Sequence, residues 1–545
     1  MHHLNTSYVQ QMRRVRSRDK RTSYVLCLQL LLTVWAGRVT INILPDDVLL
    51  LIFHFDRVVG LLQPLSWRWH RLVHVCKRWR SIVLESPITL DLTLVCGPWT
   101  PVELTSIWPP LPIIIKNTVD RRIPEDYDFD AAIMHPSRVR EIYLCHLTSS
   151  QLRRLASAMQ EQFPTLIHLE LNFHDDFPAP VLPDGFLGGS VPRLQSLELD
   201  AIPFPALPKI LLSATDLVRL TLSRTPRSGY ISPEAIVTGL AVMTNLKSVN
   251  IGFESPFSRP DQEGRRLPPP TRITLPALTR FEFKGVSEYL ETLVSRIDTP
   301  LLDSIRITFF HQLIFDTPQL AQFMRRATRF QAHNEAHVSF EYCGVQVGYF
   351  PQPEFVREKS GLEISCNTLD WQLSSLVQVI TSFFPSINMV EHLYIYGHGY
   401  LSSQWRNDTE NPQWLEMFHL FTGVRNLYVS KKVGKHIAFA LQELTGGRMT
   451  EVFPILENII SEVLEPSGPI QEGIGKFVAA RQLSSHPITV SLWERSSEQE
   501  EQDSTEDSWA MWKTWRKLKK MGEDSDSDGL GETLSDLIEN LEEDW

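Results

Sequence analysis

A spacing of apolar residues recurs through most of the chain and predicts a series of short, half-buried strands. The pattern is apolar-x-x-apolar-x-apolar, and it starts at Val139, Leu166, Leu194, Leu217, Leu246, Leu278 and Leu302, then again at Val390 and Val424. The first seven starts lie 23 to 32 residues apart, and segments between them, such as 149–159 and 285–297, have helical periodicity. One strand and helix cannot bury their own apolar face, so we expect a solenoid of stacked units.

This strand spacing resembles that of leucine-rich repeats. The family's pattern adds Asn or Cys three residues after the last strand position, but here those positions hold Leu147, His174, Ile202, Thr225, Glu254, Val286 and Phe310. We therefore expect an irregular, leucine-rich-repeat-like α/β solenoid over residues 91–495. The interval between Ile307 and Val390 is expected to hold two or three strands of another rhythm, in HVSFEY, Val345–Phe350 and LEISC. Unrelated strand–helix units that share the pattern by chance are the alternative.

Residues 41–90 carry a second pattern, which predicts two or three short amphipathic helices. Pro45 stands where a helix needs no amide donor, and the following Asp46 and Asp47 suit the first turn. Val48, Leu49, Ile52 and Phe53 then form one apolar stripe, and Trp69, Leu72, Val73, Cys76, Trp79 and Val83 form another that ends before Pro87. A unit this small hides little of its surface, so we expect another chain or the next domain to cover part of it.

The same residues resemble an F-box. Leu44-Pro45, an acidic pair and an aliphatic stripe precede Val75-Cys76-Lys77-Arg78-Trp79-Arg80, which is the order of that motif. The segments LPDGFLGGSVPRLQSLELD and GVSEYLETLVSRIDTP also resemble F-box proteins of mushroom-forming fungi. The resemblance implies binding to a Skp-type adaptor of a cullin–RING ubiquitin ligase by Leu44, Pro45, Val48, Leu49, Ile52, Trp69, Leu72, Val75, Cys76, Trp79 and Arg80. Trp79 and Arg80 are the expected hot spots.

These patterns together predict an α+β protein that binds other proteins and is not an enzyme. Its parts are an extension (1–40), an F-box (41–90), the solenoid (91–495) and an acidic helical tail (496–545). We expect a substrate-recognition adaptor whose body captures an unknown target protein. A scaffold without a ligase, whose helices pack only on the solenoid, is the alternative. The body's loop 253–272, rich in Pro and charge, is either a target contact or a flexible bulge.

Composition and charge limit the classes of partner that we expect. Hydrophobic residues at 43% and charged residues at 21% are ordinary globular values. The net charge of −11 equals the charge of residues 496–545, which hold 16 acids and 5 bases, so the body is balanced and no nucleic-acid partner is expected. Six cysteines without a CxxC pair favour reduced thiols in the cytoplasm or nucleus.

The N-terminus leaves a question open. A basic run from Arg13 to Arg21 precedes the apolar run Tyr24–Ala36, which is the order of a signal peptide or anchor. The interpretation we prefer is a lead-in helix that packs on the next domain, so a membrane partner is not expected. A membrane-tethered repeat protein is the alternative.

Motifs for catalysis or for a cofactor are missing from the sequence. There is no GxxxxGK[ST], GxSxG, HExxH or GxGxxG. His70, His74 and Cys76 have ligand spacing on one helix, but no second cluster completes four donors. Asp524–Gly529 imitates the start of an EF-hand, but its twelfth position is Ser535 and not Glu. We therefore expect no metal and no cofactor.

The tail contains two amphipathic segments. Trp509, Trp512, Trp515 and Leu518 alternate with basic residues, whereas Leu530, Leu534, Leu537, Ile538 and Leu541 share one face of a predicted acidic helix. The two segments are expected to fold on each other or to dock on the body, and binding to a membrane surface or a partner helix is the alternative. Ser525 and Ser527 are candidate phosphorylation sites.

Overall fold

The computed structural model describes most of the chain between Leu44 and Trp493. The described residues are 44–59, 72–86, 90, 92–97, 111–117, 123–125, 127–129, 133–175, 177–255, 272–310, 317–326, 334–341, 344–349, 361–366, 369–383, 387–397, 412–444, 448, 450–462, 468–484 and 486–493. The chain divides into two compact units, Met1–Leu144 and Cys145–Trp545. Among the described helices, none is both long and apolar enough to span a bilayer. The apolar run 24–36 and the tail 496–545 lie outside the described residues.

In its described residues, the first unit contains two helices and three strands. The elements are α1 (Asp46–Val59), α2 (Lys77–Glu85), β1 (Leu94–Cys96), β2 (Ile113–Lys116) and β3 (Val139–Leu147), in which the two units divide. The three strands are parallel, in the order β1-β2-β3. The core of the unit joins the helices to the segments that follow them, and its buried members are Leu44, Leu49, Phe53, Val73, Ile82, Val83, Leu90, Leu92 and Leu111.

Helix α1 begins where the sequence predicts it. Asp46 and Asp47 occupy its first turn, and the carbonyl of Pro45 accepts the amides of Val48 and Leu49 at 3.1 Å. A carboxylate in the first turn stabilises a helix because the amide dipoles point toward it. The local chemistry of Leu-Pro-Asp-Asp is therefore sufficient to start the helix.

The second predicted stripe is not one helix. Cys76 has an extended backbone (φ −157°, ψ 168°), and its sulfur accepts the amide of Trp79 as the N-cap of α2. The prediction of a continuous stripe through Cys76 was therefore wrong. A capping side chain satisfies an amide that has no partner within the helix, and this contact stabilises a break that hydrophobic spacing alone does not reveal. Residues 60–71, which include Trp69 and His70, lie outside the described residues.

The second unit alternates strands with helices. Its strands are β4 (His168–Phe173), β5 (Ser196–Asp200), β6 (Arg219–Thr225), β7 (Ser248–Phe253), β8 (Ile273–Thr274), β9 (Arg280–Gly285), β10 (Ile297–Asp298), β11 (Ser304–Phe310), β12 (Glu335–Glu341), β13 (Gly344–Tyr349), β14 (Gly361–Ser365), β15 (His392–Gly397), β16 (Asn426–Val429), β17 (Asn458–Ser461) and β18 (Thr489–Leu492). Its helices are α3 (Ser149–Ala158), α4 (Leu207–Leu211), α5 (Pro233–Leu240), α6 (Ser287–Val294), α7 (Pro318–Arg326), α8 (Leu369–Phe383), α9 (Gln413–Leu420), α10 (Lys431–Gln442) and α11 (Pro469–Leu483).

The strands of the second unit form a large, mostly parallel sheet in the order β4-β5-β6-β7-β9-β11-β14-β13-β12-β15-β16-β17-β18, while β8 and β10 form a separate pair. Every position of the nine predicted apolar triplets is buried. Helices α4 to α11 contact one another in chain order. Each strand–helix repeat of the array therefore buries its apolar face against the neighbouring repeats, as the spacing predicts.

The array changes rhythm after β11. Strands β12, β13 and β14 form an antiparallel meander, which is inserted in reverse, so that β14 pairs with β11 and β12 pairs with β15. The three predicted strands of another rhythm in this interval are confirmed. Their reversed order was not predicted, because strand patterning does not specify which edge of the sheet a returning chain joins.

Polar contacts join successive strand–helix repeats at the positions that hold Asn in leucine-rich repeats. The amide of His174 donates to the carbonyl of Leu147, and the amide of Glu254 donates to that of Thr225, both at 3.0 Å. In α6, the Glu291 carboxylate accepts two amides at the start of α7, at 2.9 and 2.7 Å. Backbone hydrogen bonds and helix caps thus pair backbone amide and carbonyl groups at the bends between repeats.

Candidate protein-interaction sites

Arg78 joins the two halves of the motif in the first unit. Its Nε and Nη2 atoms donate to Asp46 Oδ1 at 3.0 and 2.6 Å, and Nη2 also donates to the carbonyl of Leu44 at 2.6 Å. The guanidinium presents several donors in a fixed plane, so one side chain can bind a carboxylate and a carbonyl together. The start of α1 is therefore fastened to α2 across 32 to 34 positions of sequence.

An aromatic contact joins the same helices. The rings of Phe53 and Trp79 lie 4.7 Å apart at an interplanar angle of 58°. Trp79 is half-buried, and its Nε1 atom is buried without a hydrogen-bond partner among the described residues. Arg80 directs its Nε to the carbonyl of Val73 at 2.9 Å. Trp79 therefore helps Arg78 to hold the two helices together, whereas Arg80 fixes the chain just before α2.

The predicted adaptor-binding residues differ in their exposure. Leu44 and Leu49 are buried in the unit's own core. Val48, Ile52, Leu72, Cys76 and Trp79 are half-buried, whereas Pro45, Val75 and Arg80 are exposed. Trp69 lies outside the described residues. Any docking surface must therefore consist of the half-buried and exposed members, with Leu44 and Leu49 supporting them from within.

One exposed apolar residue of this surface was missed from the sequence. Leu51 is 40% exposed and Val75 is 58% exposed. Residues three and four apart on a helix are neighbours, so Leu51 lies beside Val48 on the surface of α1. The sequence pattern assigned the apolar face to Val48, Leu49, Ile52 and Phe53, and Leu51 falls outside that spacing. A leucine off the core stripe was the signal that could have identified it.

The strand face of the second unit is a different kind of surface. Along β4 and β5 the buried residues alternate with half-exposed ones. The half-exposed positions carry mostly polar side chains in the first strands and aromatic side chains in the later ones. This alternation creates a continuous face on which several side chains can meet one partner.

Five rings on the later strands form a cluster, which we call the aromatic cluster: His337, Tyr394, Tyr396, Tyr428 and Trp493. Tyr394 stacks between His337 and Tyr428, with centroid distances of 4.4 and 4.1 Å. The three residues are directly paired in the strand register. Trp493 lies 5.6 Å from Tyr396 and 5.5 Å from Tyr428. Stacked and edge-on rings at these distances attract one another beyond their area burial.

A polar row runs beside the aromatic cluster. His392, Asn426, Asn458 and Thr489 are paired in register across β15 to β18. Asn458 Nδ2 donates to Asn426 Oδ1 at 2.7 Å, and Asn426 Nδ2 lies 3.3 Å from His392 Nδ1. Burial raises the pKa of Glu335, which is opposite His392 in register. The aromatic cluster is thus flanked by amide and carboxylate groups that can fix the orientation of a partner.

Acidic side chains group at the other end of the strand face. Glu170 and Glu198 are directly opposite each other in the parallel register of β4 and β5. Asp200 accepts two hydrogen bonds from Arg224, both at 2.7 Å. Burial, and then the charge of Glu170, raises the pKa of Glu198. The strand face therefore has an acidic end and an aromatic end.

The described cysteines have the properties of structural thiols. Cys76, Cys96, Cys145 and Cys366 carry no disulfide. Burial raises the pKa of Cys96 to about 11 and also raises the pKa of Cys366. Since the thiolate is the nucleophilic form, neither buried thiol is activated. Within the part of the chain that is described, no three His, Cys, Asp or Glu residues converge in a group that could hold a metal ion.

The sequence reasoning missed the aromatic cluster and named other features that are not described. The tyrosines of HLYIY and NLYV were not singled out, although Tyr396 and Tyr428 alternate with buried residues along β15 and β16. Residues 256–271 of the predicted loop 253–272, His70, the EF-hand-like segment 524–529 and the tail serines lie outside the described residues.

No protein-family model matches the chain, and no curated protein matches it. Among solved structures, the crystal structure of the leucine-rich repeat-containing protein LegL7 from Legionella pneumophila is 13% identical, over 68% of this chain and 98% of that one, with a TM-score of 0.27. A score this low supports no conclusion about either fold or function. The repeat architecture follows from the stacked strands and helices alone.

Proposed function

We propose that this protein is a non-catalytic, F-box-type adaptor of a cullin–RING ubiquitin ligase. The helix pair α1–α2 binds a Skp-type protein, and the strand face of the second unit captures the target protein. The observation that carries the proposal is the Arg78 contact with Asp46 and Leu44, because it joins the two halves of the motif that the resemblance rests on. It supports a preformed docking unit, which costs less ordering entropy on binding.

The docking surface consists of Val48, Leu51 and Ile52 on α1, with Val75 before α2. Two of these side chains are exposed and two are half-buried, so they retain apolar area that a partner can cover. A helix that lays its apolar face into a groove commonly uses anchors at such i, i+3 and i+4 positions. The proposal places the adaptor on this surface and the target elsewhere, on the strand face.

The test replaces an exposed apolar residue with a charged one. Leu51→Asp should weaken binding of a purified Skp-type protein by about tenfold or more, because burying an unpaired carboxylate in an apolar contact is costly. Leu212→Asp is the matched control, since Leu212 is an exposed leucine near α4 of the second unit, and it should bind normally. Calorimetry with the full chain measures both affinities. Equal binding by Leu51→Asp would place the contact elsewhere.

A scaffold without a ligase is the second candidate, and one observation favours it. The core of the first unit already covers Leu44 and Leu49 with Leu90, Leu92 and Leu111 from the same unit. A helix pair that is completed within its own unit has less need of a partner. If the unaltered chain binds no Skp-type protein while its second unit still captures targets, the scaffold is the correct function.

A further inference from the structure

The last described strand of the array leaves apolar side chains uncovered. Strand β18 pairs with β17 on one side, and all four of its residues are exposed. Val490 and Leu492 are 36% and 52% exposed. In register they are opposite Ile459 and Ser461, which are both buried, so they point to the side on which the preceding strands have their core. The end of a repeat array needs a cap, and an open strand edge needs cover.

The outer surface of α11 is open in the same way. Gln471, Gly475, Ala479 and Leu483 follow one another at intervals of four, and all are exposed, Leu483 by 89%. The opposite side of the helix is buried, with Ile474, Phe477 and Arg481. Small residues between larger ones leave a groove into which the ridge of another helix can pack. Two independent surfaces, the strand β18 and the helix α11, therefore lack a neighbour among the described residues at the same end of the array.

Position in the chain indicates what covers them. Helices α4 to α11 pack in chain order, so the next element of the array comes from sequence that follows β18. Residues 494–545 follow it. Within them, Leu530, Leu534, Leu537, Ile538 and Leu541 lie at i, i+4, i+7, i+8 and i+11, which places all five on one narrow helical face. Trp509, Trp512, Trp515 and Leu518 lie three apart, a spacing that drifts around a helix and mixes with basic residues.

We propose that residues 530–541 form the terminal cap of the array, with their leucine face packed against Ala479 and Leu483 of α11 and over Val490 and Leu492. The acidic side chains of the segment, among them Glu532, Asp536 and Glu539, then face solvent. This arrangement continues the packing of successive helices that α4 to α11 show. It is independent of what the first unit binds.

Thiol labelling of the full chain tests the proposal. Ala479→Cys places a reporter on the outer surface of α11, and maleimide labelling is followed at that peptide by mass spectrometry. The reporter should react at least tenfold faster when Leu534→Ser and Ile538→Ser are combined, because the cap then loses its apolar face. Trp512→Ser with Trp515→Ser is the matched control in the other amphipathic segment, and it should leave the labelling rate unchanged.

A second reporter keeps the result interpretable. Ser157→Cys lies on the exposed side of α3, far from β18 in the strand order, and its rate should be the same with every tail. A rise in labelling rate at both reporters would signal unfolding. In that case, hydrogen exchange of α11 is measured in the chain with the wild-type tail, and unprotected amides in α11 would overturn the cap.

Three outcomes overturn the proposal. The first is that the Ala479→Cys thiol reacts as fast as the Ser157→Cys thiol with the wild-type tail, which means that nothing covers α11. The second is that only the tryptophan variant exposes the reporter, which assigns the cap to residues 509–518. The third is that protection of the reporter depends on protein concentration and appears with a doubled mass, which assigns the cover to a second copy.

Discussion

Glu198 is a residue of the strand face at which burial and neighbouring acidic charges together disfavour the ionised side chain. Burial and the charges of Glu170 and Asp200 raise its pKa, while His168 and Arg219 act against them. Because the folded pKa lies above the unfolded value of about 4.3, the ionised side chain destabilises the fold at neutral pH. That penalty is absent below the unfolded pKa and is complete once the pH has risen past the folded pKa.

Glu198→Gln should therefore raise the melting temperature at pH 7, by about 1–2 °C if the gain is near 1 kcal/mol. The gain should be mostly lost at pH 4, because this pH lies below the unfolded pKa of about 4.3 and the wild-type side chain is then mainly protonated in both states. Scanning calorimetry at the two pH values measures it. Glu282→Gln is the control, because Glu282 accepts a hydrogen bond from Asn250 at 3.0 Å and should gain nothing. A gain that persists at pH 4 would contradict the charge explanation.

In the first unit, the sequence predicts local features of single residues but not their long-range contacts. The order Leu-Pro-Asp-Asp predicts the start of α1 because proline and first-turn acids act locally. The sequence did not predict the contact of Arg78 with Asp46. A contact across 32 positions depends on how the helices pack, which hydrophobic spacing does not contain.

At the scale of elements, the nine apolar triplets were predictable because three inward positions per strand repeat without exception. Strand β17 was missed because Ser461 occupies its third inward position, although Leu456 and Ile459 keep the spacing. Strands β1 and β2 were missed because Leu94–Cys96 and Ile113–Lys116 are too short to show a period. The break at Cys76 was missed because it depends on a sulfur–amide contact.

Helices α10 and α11 approach each other most closely at glycines, and this gives a paired prediction. A Cβ on Gly473 would lie 2.8 Å from the carbonyl oxygen of Ala438, whereas a Cβ on Gly434 would lie 3.1 Å from the flexible end of Ile470. Backbone cannot move aside as a side chain can, so Gly473→Ala should destabilise the protein by about 1–3 kcal/mol. Gly434→Ala should be nearly neutral, since the helix propensity of alanine offsets the contact.

Chemical denaturation of the two full-length variants measures the difference. Because the array is a sum of local interfaces, the loss at Gly473 should also appear as faster hydrogen exchange in α10 and α11 and not in α3. Equal stability of the two variants would mean that α11 can shift outward without cost. In that case the close packing of the two helices would not contribute to stability.

At the scale of the whole molecule, the two ends of the strand face differ in the forces they can offer a partner. The acidic end attracts cations over a distance but is screened by salt. The aromatic cluster offers a large, rigid contact area, and Tyr and Trp are the residues that most often dominate binding energy. The aromatic cluster is therefore the expected centre of target binding, and the acidic end is expected to contribute mainly to the association rate.

Tyr396 and Trp493 are the members to alter, because both are half-buried, whereas Tyr394 is buried and stacks at 4.4 and 4.1 Å between His337 and Tyr428. For a target captured by the wild-type chain and then purified, Tyr396→Ala with Trp493→Ala should weaken binding by about tenfold or more through a faster dissociation rate. Glu170→Ala should instead slow association at low salt, and its effect should vanish at high salt because screening removes the attraction. Surface plasmon resonance at two salt concentrations separates the rates. Loss of a contact at the centre of the interface must speed dissociation. If the double variant binds normally and Glu170→Ala does not, the aromatic cluster is therefore not the centre of target binding, and the acidic end is.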